Sequence, residues 1–181
     1  MRRLIALSLL ALLLPFSAYC KRAEDFSLDI SLIRGERSRD SHSQATHITL
    51  NGRELVYEKS YRGYRGGARS EPVKKSFKIK DEDVERLKKI VLDNSLLTSD
   101  SLEVEGAQGG VRQFFELALN INLNGKKSSI EISAPRSATE IKEKPVYVRA
   151  NALLDAVYKI LAEQDKEIGY ENRDLIDDKT R

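Results

Sequence analysis

Asn124-Gly125 and the residues on either side of it constrain this chain more than any other stretch. From Phe115 onward, apolar residues fall at Phe115, Leu117, Leu119, Ile121 and Leu123, with Glu116, Ala118, Asn120 and Asn122 between them, the alternation of a half-buried strand. Asn-Gly then offers the two positive-φ positions of a type I′ turn. If those two residues form the whole loop, Leu123 faces Lys126, Leu119 faces Ile130 and Leu117 faces Ile132. The apolar residues of both strands then share one side, and a one-residue slip would destroy that agreement. Glu116, Asn120, Asn122, Lys127, Ser129 and Glu131 take the wet side.

The same reading extends along the chain. Phe26 to Leu32 alternates and predicts a strand, and RGERSRDSHSQ over 34–44 reads as an exposed connection. A second Asn-Gly at Asn51-Gly52 predicts a hairpin with Ile48 opposite Leu55 and Thr46 opposite Tyr57. Phe77 and Ile79 mark a short strand. Asp81, as N-cap, then opens a helix whose first turn is acidic, whose stripe is Val84, Leu87, Ile90 and Val91, and whose stop is Asn94. Residues 100–110 and 134–144 read as connections. Pro145 opens a last helix with Ala150, Leu153, Leu154, Val157, Ile160 and Leu161 on one face, ending near Gln164. These elements predict an α+β fold: an antiparallel sheet built from two Asn-Gly β-hairpins plus flanking strands, with two amphipathic helices packed on one face. With 181 residues, 40% of them hydrophobic, one such domain over 21–164 is expected, followed by a charged, flexible tail over 165–181.

The opening residues predict export. Arg2 and Arg3 precede the apolar run Leu4 to Leu14, and Pro15 breaks it before small residues, the pattern of a secretory signal over 1–20. Cys20, the only cysteine, stands where a bacterial lipoprotein carries its lipidated cysteine, although Tyr19 is bulkier than such signals favour. Two products are therefore open: a cleaved soluble chain, periplasmic or secreted, and a chain anchored to the membrane through Cys20. Neither uses a disulfide. The chain has 31 basic and 28 acidic residues, and the leader takes away Arg2 and Arg3 alone, so the mature charge is near balance. That argues against nucleic acid as a partner.

Motifs for chemistry are few. His42 and His47 have no cysteine to help them, and His47 alternates with Ile48, so a solvated strand histidine accounts for it and no metal is expected. No Gly-x-Ser-x-Gly elbow, His-Glu-x-x-His or phosphate-cradling glycine loop occurs, and no cofactor is expected. The segment YRGYRGGARSEP over 61–72 reads as irregular. Tyr61, Arg62, Tyr64, Arg65 and Arg69 among its glycines are the candidate binding residues, because arginine pairs bidentately with carboxylate or phosphate and tyrosine is a rigid amphipathic contact. Lys74, Lys75, Lys78 and Lys80 extend the basic character, which edge-strand protection alone would also explain.

In element order and hydrophobic pattern, Phe77 to Leu97 followed by Phe114 to Leu161 resembles the small bacterial inhibitors of thermolysin-like metalloproteases of the emfourin type. The shared features are an acidic-capped helix, a polar loop, a hairpin and a closing helix. The resemblance implies a similar α+β frame and covers roughly half the chain. The leader, the extra hairpin and the long loops depart from it, and no inhibitory residue carries across. The expected function is that of an exported, non-enzymatic binding module whose partner is a protein, a protease among them, or an anionic envelope polymer. A cell-envelope enzyme and a structural envelope lipoprotein are the alternatives.

Overall fold

Strands that alternate in polarity can bury one face only, and among the described residues seven strands lie side by side to do so. The computed structural model describes residues 26–37, 42–63, 71–104 and 112–170. The leader with Cys20, and Tyr64, Arg65 and Arg69, lie outside the described residues. The strands are β1 (Phe26–Arg37), β2 (His42–Asn51), β3 (Glu54–Gly63), β4 (Val73–Lys78), β5 (Asp100–Glu103), β6 (Arg112–Leu123) and β7 (Lys126–Pro135). The helices are α1 (Asp81–Asp93), α2 (Pro145–Gln164) and the short α3 (Lys166–Tyr170), with a 3₁₀ turn at Thr139–Glu143. Spatial order in the sheet is β4-β3-β2-β1-β6-β7-β5. The fold is α+β with one mixed sheet and two main helices.

The sheet is mixed rather than antiparallel because β5 runs parallel to β7, with Asp100 beside Ile130 and Leu102 beside Ile132. After α1 the chain arrives at the free side of β7. Ser128 Oγ donates to the Leu96 carbonyl at 2.6 Å and the Ser129 N–H to Ser99 Oγ at 3.1 Å, seating residues 96–99 and aiming 100–103 along β7. The expected connection over 100–110 thus begins with a strand.

Two other expected connections are shorter than anticipated. β1 continues through Arg37 because Arg34 pairs with Gln44 and Gly35 with Ser43, so polar residues of 34–44 belong to the ladder. β3 continues through Gly63 because Tyr61 pairs with Gln44 and Arg62 with Ser43.

In the β6–β7 pair Leu123 lies opposite Lys126, Leu119 opposite Ile130 and Leu117 opposite Ile132. Asn124 has φ 54° and Gly125 φ 80°, the two left-handed positions that such a turn requires. The first hairpin corrects the expected register: Ile48 faces Tyr57, Leu50 faces Leu55, and Thr46 faces Lys59. Its loop is Gly52-Arg53, with positive φ (58°) at the glycine and not at Arg53, as a type II′ turn demands. Arg53 explains the choice. Its backbone carbonyl accepts from the Ile79 N–H at 3.0 Å, its Nε donates to the Ile79 carbonyl at 3.0 Å, and its guanidinium reaches Asp81 at 3.2 Å. The shift is two residues, so every side chain keeps its face.

Asp81 is the first residue of α1 rather than its cap. Lys80 holds the cap position without a side-chain hydrogen bond, and Asp81 is turned to Arg53 instead. Asp81, Glu82 and Asp83 still fill the positive end of the helix. At the other end the Ser95 N–H bonds the Leu92 carbonyl and the Leu96 N–H the Val91 carbonyl, with Ser95 at φ 52°, a Schellman closure that buries Leu96 against Val91.

The buried positions of β1, β2, β3, β6 and β7 form one cluster with Val84, Leu87 and Val91 of α1 and Leu153, Leu154, Val157, Ile160 and Leu161 of α2. Ile168 of α3 joins it, so the core continues past Gln164. α2 crosses the whole sheet. Arg149 near its start holds Asp100 on β5 at 2.8 Å, and Asp165 at its end holds Lys75 on β4 at 2.5 Å. β5 and β4 are the two outermost strands. Twenty residues of helix span about 30 Å and six inter-strand gaps about 29 Å, so one helix reaches from edge to edge.

The clasp at Lys75 carries a pH signature. The hydrogen bond to Lys75, with the Glu167 backbone N–H adding to it, holds the Asp165 carboxyl below its ordinary value, and the same bond, with Glu167, holds the Lys75 ammonium above its own. A lowered carboxyl contributes stability above its unfolded value and loses it as pH falls through the folded one; a raised lysine does the reverse at high pH. The difference in Tm between wild type and Lys75→Met should therefore be constant from about pH 5 to about pH 9 and shrink as pH falls below the ordinary aspartate range. Thermal melts across that range read it directly; a difference that persists in acid would show that the contact contributes through packing, not charge.

Candidate functional site

The face of the sheet turned away from the core is built by the other half of each strand's alternation. β1 contributes Ser27, Asp29, Ser31 and Ile33; β2 contributes Asn51, Thr49, His47 and Ala45; β6 contributes Asn122, Asn120, Ala118 and Glu116; β7 contributes Lys127, Ser129, Glu131 and Ser133. Register aligns them in rows, such as Thr49–Asp29–Asn120–Ser129 and His47–Ser31–Ala118–Glu131. Most of these side chains are short, and short side chains leave hollows between the longer ones.

Two depressions result. The first, about 740 Å³, is lined by Ser27, Asp29, Thr49, Asn51, Ser99, Asn120, Asn122, Lys127 and Ser129. The second, about 530 Å³, is lined by Ser31, Ile33, Ser101, Glu103, Glu116, Ala118, Glu131 and Ser133. The first offers hydroxyls and amides that can both donate and accept, with one carboxylate and one ammonium. The second adds three carboxylates to serines and small apolar groups. Beside them, His47 Nε2 and Asp29 Oδ1 lie 3.0 Å apart, both about half exposed. This is the strand histidine expected at the wet side, now with a partner. At one end of the face Phe114 lies across Gly35.

Among the described residues no group of three or more His, Cys, Asp and Glu side chains is placed to hold a metal ion. Nor, among them, is any helix long and apolar enough to cross a membrane.

Of the binding residues expected from sequence, the described part holds Tyr61 and Arg62, both on β3 rather than in a loop. Tyr61 is on the same side of the sheet as Tyr57 and is 43% exposed, with the Lys59 ammonium 4.9 Å from its ring centre. Arg62 pairs with Ser43 in the β2–β3 ladder.

The depressions were not foreseen. Their signal was present in the small polar residues at alternate positions of β1, β6 and β7. Such residues read as a wet face, and only the pairing of β1 between β2 and β6 shows that they converge. No protein-family model matches the chain, and comparison with the curated proteins likewise finds no match.

Proposed function

We propose that this chain is an exported, non-enzymatic binding module of the bacterial envelope or secretome: a sheet built around two β-hairpins, closed on one face by two amphipathic helices and binding with the other. The two hollows of the open face carry this reading, because most of their hydroxyl and amide groups point away from the core and can meet a ligand at no cost to it. Its partner is a protein, a protease among the candidates, or an anionic envelope polymer reached through Arg62, Arg65 and Arg69. Tyr61 and Tyr64 supply aromatic contacts beside them. The leader and Cys20 place it outside the cytoplasm, soluble after cleavage or anchored when Cys20 is lipidated.

The test compares two surfaces. A partner captured from the envelope fraction and then purified should lose at least about tenfold in affinity for Ala118→Arg, which fills the open face, while the melting transition stays within about 0.5 kcal/mol of wild type. Replacing Arg62, Arg65 and Arg69 together with Ala should weaken an anionic polymer strongly at low salt and little at high salt. A purified partner that binds both variants as tightly as wild type would overturn the reading.

A further inference from the structure

Among the described residues, β4 pairs with β3 on one side and with no strand on the other. The Ile79 N–H donates to the Arg53 carbonyl at 3.0 Å, one step beyond the Glu54–Lys78 pair, so at Ile79 the backbone turns toward β3. In an antiparallel ladder the backbone alternates between facing the partner and facing away. Val73, Lys75 and Phe77 therefore face β3, and the N–H and C=O groups of Lys74, Ser76 and Lys78 face outward. Their side chains stand on the open-face side, across from Glu58, Val56 and Glu54. On the helix side, Val73 is 44% exposed and Phe77 is half-buried against the core.

We infer that the outer edge of β4 is a docking strand for an extended segment of another protein that carries acidic residues at alternate positions and apolar residues between them. Main-chain hydrogen bonds to Lys74, Ser76 and Lys78 would supply the pairing, as in β-strand addition generally. Charge selects the partner. Acidic side chains on the added strand would stand beside Lys74 and Lys78, and the intervening apolar ones beside Val73 and Phe77. A second copy of β4 fits poorly, because antiparallel pairing centred on Ser76 sets Lys74 of each copy opposite Lys78 of the other, and like charges directly opposite are destabilising. Neither hollow is lined by a residue of β3 or β4, so this surface is separate from what the hollows bind.

The test uses the full mature chain and a short peptide alternating aspartate and valine with blocked ends, beside a control of scrambled order. The alternating peptide should bind and the scrambled one should bind at least about tenfold more weakly. Ser76→Pro removes an outward N–H and leaves the β3 ladder whole, so it should lower affinity by at least about tenfold with little change in melting temperature. Ser76→Ala should bind as wild type does. Lys74→Glu with Lys78→Glu should abolish binding of the acidic peptide and admit one alternating lysine and valine. Three results would each overturn the inference: no binding, in which case the lysines only guard the edge; equal binding of the scrambled peptide; or self-association of the wild-type chain that Ser76→Pro abolishes.

Discussion

Leu119→Ala should destabilise the protein by about 2–5 kcal/mol, while Asn120→Ala, one residue further along the same strand, should change stability by no more than about 0.5 kcal/mol. Leu119 is fully buried on β6, between Ile30 of β1 and Ile130 of β7, and truncation leaves a cavity in the middle of the sheet that its neighbours cannot collapse into. Asn120 is exposed beside Asp29 and Ser129 on the open face. Denaturant melts of the two variants measure the contrast. Equal losses would mean that the two faces of the sheet have been exchanged in the assignment.

That contrast marks what the sequence makes legible. Alternation along β6 and the Asn-Gly step together determine which side chains meet, because a positive-φ pair and a period of two leave one consistent register. At Asn51-Gly52 the same signal is ambiguous. Both a type I′ turn on Asn-Gly and a type II′ turn on Gly-Arg are available, and the two differ by one step of the period. The contacts of Arg53 with Ile79 and Asp81 decide between them, and those lie 26 and 28 residues away. Local pattern cannot contain that information.

The parallel strand β5 was hidden for a similar reason. Asp100-Ser101-Leu102-Glu103 has one apolar residue, two turn-prone ones and a hydrogen-bond partner, β7, that lies beyond the loop and all of β6. The ends of β1 and β3 are polar too. They are strands because they pair with each other's neighbours on β2, not because their composition favours it. The candidate site follows from the same physics. Hydroxyls and amides at wet positions are unremarkable strand by strand, and become two hollows only when β1 is set between β2 and β6.

Gly35 shows how one such long-range meeting constrains a single position. It lies on β1 between Ser43 of β2 and Phe114 of β6, and the Phe114 ring occupies the space a side chain would need. A Cβ there would stand 2.8 Å from Phe114 Cε1, 2.9 Å from its Cζ and 3.0 Å from the His42 carbonyl oxygen. A glycine inside a strand marks such a close approach. Gly35→Ala should cost about 1–3 kcal/mol, since the ring must leave its place and the His42 backbone cannot yield as a side chain can. In a Phe114→Ala background the ring is gone and the main obstacle with it, so the same substitution should cost less by at least about 0.5 kcal/mol, a coupling that residues in contact commonly show. The four proteins of this cycle, compared by denaturant melts, isolate the interaction. Equal costs of Gly35→Ala in the two backgrounds would show that the aromatic ring is not what reserves this position for glycine, and would shift the explanation to the His42 carbonyl alone.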